Sequence, residues 1–277
     1  MRTAHELIDA GDGRRLDRFG EVVVDRPAAD AVDAVRDPAA WDAADLRFER
    51  YRGWMTGRGE IPESWPISEG DLRFELRPTP TGQVGLFPEQ APNRAWVRDL
   101  IAAMPEPPAV LNLFAYTGAM TLSAAAAGAA VTHVDGARPA IGWARRNAEL
   151  SGLADRPIRW IVDDVEAFVL REERRGRRYD GVVLDPPSYG HGSGGRSWKL
   201  ADRLPSLLAS CALATGHRPL FVVLTAHTPG FGPDRLADEL AAAFRRRAAD
   251  VDAGELGLRA RSGAHLRLGA YARIIGR

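Results

Sequence analysis

Tyr179-Asp180-Gly181-Val182-Val183-Leu184-Asp185-Pro186-Pro187-Ser188-Tyr189 sets the reading of the whole chain. Val182 to Leu184 has the composition of a short strand buried on both faces, and it stops at once in Asp-Pro-Pro. Proline locks φ and has no N–H for the ladder, so a stiff turn is thrown beyond the strand's carboxyl end. In open α/β sheets that end is where ligands bind. The turn offers a carboxylate, backbone carbonyls and an aromatic ring, a set that suits a planar group bearing an amine. Alone, it reads equally well as an ordinary strand-to-loop stop, so its neighbours decide.

Working outward, the chain from Ala109 alternates short apolar runs with helical patterns. The spacing predicts strands over 109–114, 130–134, 158–162, 181–184 and 220–224, and helices over 119–128, 139–150, 165–175 and about 201–214. Short apolar strands separated by helices imply a parallel sheet covered on both faces. Residues 254–260 and 270–275 are expected as two antiparallel strands joined across Arg261-Ser262-Gly263. Upstream, Gly82 to Gln90 leads into a helix carrying Trp96, Val97, Leu100 and Ile101, closed by Pro105-Glu106-Pro107-Pro108. Residues 1–85 are rich in turn formers and tryptophan, with strands expected at Phe19 to Val24 and Leu72 to Leu76. The pattern divides the chain into a small domain over 1–85 and a larger one over 86–277.

Composition narrows the function classes. Of 277 residues 45% are apolar and 27% charged, as in a folded globular protein. The start of the chain lacks the apolar core of a signal peptide, and the longest apolar segment, 119–131, is too short for a bilayer span of about 20 residues. No membrane partner is expected, and a cytoplasmic location is. A lone cysteine, Cys211, excludes a disulfide framework within the chain. His5, His133, His191, His217 and His265 show no metal-ligand spacing, so no metal is expected. Formal net charge is zero, which by itself leaves nucleic acid undecided as a partner.

The expected strand tips carry the chemistry. The first ends in Phe114-Ala115-Tyr116-Thr117-Gly118, a turn in which glycine at the helix entry lets a ligand approach the backbone. It has neither the spaced glycines of a dinucleotide fingerprint nor a Gly-Lys-Ser/Thr sequence, so it is not built mainly for phosphate, and the missing glycine pattern disfavours a nicotinamide enzyme. The second ends in Asp135, placed to accept from a ribose diol. The third ends in Asp163-Asp164, where a carboxylate either meets an exocyclic amine or caps the next helix. Asp185 ends the fourth.

Leu111 to Gly118, Asp135, Asn147, Asp163-Asp164 and Asp185 to Tyr189 together resemble the class I S-adenosylmethionine-dependent methyltransferases. More narrowly they resemble the bacterial large-subunit ribosomal RNA methyltransferases, with their Asn-Leu-Phe-x-Tyr-Thr-Gly and Asp-Pro-Pro-x-Phe/Tyr turns. The resemblance covers about residues 82 to 230. It implies a Rossmann-like methyltransferase sheet, mostly parallel with an antiparallel C-terminal strand, behind a small mixed α/β N-terminal domain. It implies S-adenosyl-L-methionine as cofactor, with Phe114, Ala115, Tyr116, Thr117 and Gly118 at its methionine end. Asp135 would then meet the ribose, Asp163 and Asp164 the adenine, and Asp185, Pro186, Pro187 and Tyr189 the methyl group and acceptor. Gly85-Leu86-Phe87-Pro88-Glu89-Gln90 matches in part a family stretch that folds over the cofactor, which adds Gln90 to the set.

One departure bears on the reaction. Family members that methylate cytosine C5 carry a Ser-Cys pair after the fifth strand, where this chain has Thr225-Ala226-His227. Covalent C5 chemistry is therefore not expected, and a nitrogen or oxygen acceptor is. His227 is open between a role with substrate and a structural one. Gly190 to Lys199 is expected either to meet substrate through Arg196, Trp198 and Lys199 or to be a flexible connection. The acceptor is read as an RNA base, with a small-molecule acceptor as the alternative and a non-catalytic cofactor-binding module behind both. The sequence leaves the oligomeric state open.

Overall fold

The structure is a computed structural model that describes residues 5–57, 60–191 and 197–276. It divides into two compact units. The first holds residues up to Gln90 together with Gly257–Leu268. Here β1 (His5–Gly11), β2 (Arg14–Phe19), β3 (Val22–Pro27), β4 (Leu46–Glu49) and β5 (Gly53–Thr56) form one sheet in that order. All pairs are antiparallel except β3 with β4. A hairpin, β6 (Trp65–Glu69) and β7 (Leu72–Leu76), follows. Helical structure among the described residues of this unit is confined to α1 (Pro38–Trp41) and a 3-10 turn at Pro88–Gln90.

The expected single strand over Phe19 to Val24 is two strands and a turn. Phe19 pairs with Val22, leaving Gly20-Glu21 as the loop, with φ +63° at Gly20. Glycine first in a two-residue loop is the type II′ requirement, and it splits a run whose apolar content alone reads as continuous. Asp12-Gly13, with φ +51° and +75°, closes β1 on β2 in the same economical way.

The centre of this unit is ionic. Asp17, fully buried, accepts from Arg15 Nε at 2.6 Å and Arg26 Nη2 at 2.8 Å and lies 2.7 Å from His5 Nε2. Burial alone would raise its pKa, but the two guanidiniums and His5 hold it well below the carboxylate range. Removing one member of a buried ion cluster strands the others, which costs about 3–5 kcal/mol. Asp17→Ala is accordingly expected to lose that much stability in urea unfolding; a loss below about 1 kcal/mol would show that the cluster is solvent-relaxed.

The second unit holds Ala91–Leu256 and the residues from Gly269 onward. In chain order it contains α2 (Ala91–Ala102), β8 (Ala109–Leu113), α3 (Ala119–Ala126), β9 (Ala130–Asp135), α4 (Arg138–Leu150), β10 (Ile158–Val162), α5 (Val165–Arg174) and β11 (Gly181–Leu184). There follow a short hairpin, β12 (Tyr189–His191) and β13 (Ser197–Lys199), then α6 (Leu200–Ala214), β14 (Phe221–Ala226) and α7 (Pro233–Phe244). The chain closes with β15 (Asp252–Arg259) and β16 (His265–Ile275), whose connecting tip lies in the first unit, where Ala260, Ala264 and Leu266 pack with Leu7, Ala10 and Ala31.

The seven-stranded sheet runs β10-β9-β8-β11-β14-β16-β15. β8 to β11 and β14 are parallel, and β16 is antiparallel to β14. Neighbouring strand residues face opposite layers. Leu111, Val182, Leu184 and Val222 pack with Phe168 of α5, Leu204 and Leu208 of α6 and Leu240 of α7. Val110, Val183, Val223 and Phe221 pack with Val97 and Ile101 of α2 and Ala124 and Ala125 of α3. Each fully buried side chain of this kind contributes about 1.5–3 kcal/mol of transfer free energy. Gly181 is required by this packing, because a Cβ there would lie 2.4 Å from the Phe221 ring.

Candidate active site

Register brings the strand tips to one edge. Leu113 pairs with Val134 and with Leu184, Leu184 with Leu224, and Val162 with Asp135. The strand order reverses between β8 and β11, and the crevice at such a switch point is where α/β sheets bind ligands. Phe114 and Asp185 are the first residues beyond those two strands.

Phe114 (φ +55°), Tyr116 (φ +49°) and Gly118 (φ +87°) all take the left-handed conformation. A non-glycine residue there costs energy, and two within three positions is a strained arrangement of the sort that functional turns retain. Three hydrogen bonds hold it. Ala115 N–H donates to Val134 O at 3.1 Å, Tyr116 N–H to Asp135 Oδ2 at 2.8 Å, and Asn147 Nδ2 to Thr117 O at 2.9 Å. At Gly118 a Cβ would meet that of Ala144 at 3.0 Å, so glycine lets α4 press against the turn.

Asp135 also accepts from Ala137 N–H at 2.8 Å, one backbone donor per carboxylate oxygen. Burial raises its pKa, and the two N–H groups only partly offset that. Beneath the turn runs a buried polar chain: Asn112 Nδ2 donates to Thr121 Oγ1 at 2.8 Å, and Thr121 Oγ1 lies 2.9 Å from His133 Nδ1. Burial pushes His133 down to about 3, opposed only weakly by the Tyr116 backbone.

That shift has a sign. Below its ordinary value of about 6.5 the unfolded chain binds a proton that folded His133 refuses until about pH 3. The contribution is complete above pH 6.5 and declines as pH falls toward 3, by about 1.4 kcal/mol per unit. Stability measured at pH 7 and pH 5 should therefore differ by about 2 kcal/mol more in the native chain than in His133→Gln. Equal differences would place this imidazole in contact with water.

At β10 the two acidic residues divide. Asp164 caps α5 by accepting from Ala167 N–H at 2.9 Å, and Asp163 accepts from Asp164 N–H at 2.8 Å and pairs with Arg171. At β11 the Asp185 Oδ1 accepts from Thr225 Oγ1 at 2.6 Å and lies 3.4 Å from His227 Nε2. Trp198 Nε1 donates to Pro187 O at 2.7 Å, with its ring 5.3 Å from that of Phe114. Ser188 and Thr228 share a hydrogen bond of 2.6 Å.

A protein-family model for S-adenosylmethionine-dependent methyltransferases matches residues 29–247. The chain belongs to the S-adenosylmethionine-dependent methyltransferases. A solved methyltransferase of Agrobacterium tumefaciens, described as S-adenosylmethionine-dependent, is 37% identical and superimposes with a TM-score of 0.94 over 100% of this chain and 91% of its own. Ribosomal RNA large subunit methyltransferase I of Klebsiella pneumoniae is 28% identical over 65% of this chain and 49% of its own length. Ribosomal RNA large subunit methyltransferase K/L of Syntrophotalea carbinolica is 36% identical over 46% of this chain and 17% of its own. The chain thus spans about half the length, or less, of the curated relatives it matches.

The strand tips fit the methyltransferase cofactor chemically. Asp135 keeps lone pairs beyond its two backbone donors, enough to accept from a diol. Carboxylates and aromatic faces close to the left-handed turn suit a sulfonium cation.

Of the residues expected from sequence, Phe114 to Gly118, Asp135, Asp163, Asp164 and Asp185 to Pro187 gather at one edge of the sheet, while Tyr189 opens the β12–β13 hairpin. Tyr189 is 74% exposed and keeps a ring face for stacking. Gln90 closes the 3-10 turn of the other unit. Trp198, in the stretch left open between a substrate contact and a flexible connection, is 8% exposed and donates to the Pro187 carbonyl. Arg196 lies outside the described residues. Thr225 was missed: no local signal marks a threonine at a strand end as the partner of a carboxylate 40 positions away. Asn147 had a signal, an amide on the stripe Ala140, Trp143, Ala144 and Ala148. Cys211 is buried on α6 with its thiol pushed up to about 12, which suits a core residue and not a nucleophile.

Proposed function

We propose that this methyltransferase methylates a nitrogen or oxygen of an RNA base. The observation that carries the proposal is the turn at Asp185. A carboxylate fixed by the Thr225 hydroxyl is followed in the chain by two prolines and then by the exposed Tyr189 at the start of β12, a combination suited to gripping a planar base that presents an amine. Relatives named as ribosomal RNA methyltransferases support RNA as the substrate.

Bound S-adenosylmethionine supplies an electrophilic methyl group on a sulfonium centre. Asp135 takes the ribose hydroxyls, Asp163 and Asp164 border the adenine, and Phe114 to Gly118 line the methionine end. Asp185, Pro186, Pro187 and Tyr189 orient the acceptor. Methyl transfer is an in-line displacement, so orientation within a dry pocket supplies most of the rate. The buried, unpaired Cys211 accords with a cytoplasmic setting, and no helix among the described residues is long and apolar enough to cross a membrane.

A small-molecule acceptor is the second reading, favoured by a formal net charge of zero. Mass spectrometry of total RNA nucleosides from cells with and without the protein separates the two. Loss of one methylated nucleoside supports the RNA reading, and unchanged profiles argue for the small molecule.

A further inference from the structure

The end of β14 holds a side chain that the site described so far does not use. His227 Nε2 stands 3.4 Å from Asp185 Oδ1, the oxygen that Thr225 Oγ1 already holds at 2.6 Å. Both side chains of the pair are about one-third exposed, His227 33% and Asp185 31%, so the pair reaches solvent at the ligand-binding edge of the sheet. The backbone is built around it. Gly269 of β16 has φ +148°, and a Cβ there would lie 2.4 Å from Ala226 O and 3.1 Å from His227 Nδ1. Any side chain at 269 would displace the end of β14 and cover the Nδ1 edge of the ring.

We infer that His227, oriented by Asp185, is the proton acceptor of the reaction, and that the acceptor atom therefore carries a hydrogen: an exocyclic amine, a hydroxyl or a ring N–H. This inference rests on the proposed methylation of RNA. The acceptor's lone pair forms the new bond to the methyl carbon as the carbon–sulfur bond breaks, and that bonding pair stays on sulfur. The proton that the methylated nitrogen or oxygen must lose passes to the imidazole. In this inference the hydrogen of the neutral ring is on Nε2, the nitrogen 3.4 Å from Asp185 Oδ1, so that the incoming proton sits on Nδ1 and the carboxylate stabilises the resulting imidazolium. A carboxylate that orients a histidine and stabilises its protonated form is a known division of labour, and general-base assistance of this kind is worth about 10²–10⁴ in rate. A ring nitrogen without hydrogen would have no proton to give and no use for the pair.

The test is methyl transfer from labelled cofactor to protein-free total bacterial RNA by the full chain, with His227→Gln beside the native protein and S-adenosylhomocysteine affinity measured for both by calorimetry. The expected result is a fall in kcat of about 100-fold or more with unchanged S-adenosylhomocysteine affinity, at least tenfold recovery on adding imidazole, and a product methylated at an atom that carries hydrogen in the unmodified nucleoside. Native protein active on RNA with His227→Gln equally active overturns the inference alone, as does a loss that imidazole does not restore or a product methylated at a ring nitrogen that carries no hydrogen in the unmodified base. Native protein that binds S-adenosylhomocysteine but methylates no RNA overturns the proposed function and the inference with it.

Discussion

Asp185→Ala is expected to lower kcat for methyl transfer by about 10²–10³-fold while weakening S-adenosylhomocysteine binding by less than about tenfold. The carboxylate is fixed on one side by Thr225 and extends from a strand of four fully buried residues, so its position is set before substrate arrives. A charge-assisted hydrogen bond to the acceptor is worth about 1.5–3 kcal/mol, and lost orientation adds to it. The substitution removes both and leaves the 114–118 turn intact, so the damage should fall on kcat. A variant with native kcat and weakened S-adenosylhomocysteine binding would move Asp185 from the acceptor to the cofactor.

Asp135→Ala should do the converse and weaken S-adenosylhomocysteine by about 100-fold or more in calorimetry. Two hydrogen bonds to a charged acceptor account for about 3 kcal/mol, and the Tyr116 and Ala137 N–H groups lose the partner that shapes the turn. The folded fraction, followed by urea unfolding, separates loss of the site from loss of the protein. Affinity within threefold of native would show that the ribose is held elsewhere.

What could be read from sequence was what local physics dictates. Gly181 to Leu184 followed by two prolines has one reading as a buried strand and its stop, and the structure starts and ends the strand at those residues. The alternation of apolar runs with helices is enough for a parallel sheet, since crossovers of one hand leave few other arrangements. Illegible parts depend on pairing at a distance. Trp198 follows a glycine-rich stretch that reads either as a substrate contact or as a flexible connection, and neither reading foresees the pairing of β12 with β13 that sets its indole N–H on the Pro187 carbonyl. Thr225 meets Asp185 only because β11 and β14 run in register. Phe19 to Val24 failed for a different reason: apolar content outweighed Gly20, although Asp12-Gly13 just upstream already marked a hairpin.

The most direct test of the account is transfer of labelled methyl from S-adenosylmethionine by the purified protein to fractionated RNA, protein and metabolites, followed by nucleoside mass spectrometry. The account predicts label in RNA, as one methylated nucleoside bearing its methyl on nitrogen or oxygen. Label confined to metabolites or protein, or a methyl on a ring carbon, would contradict it.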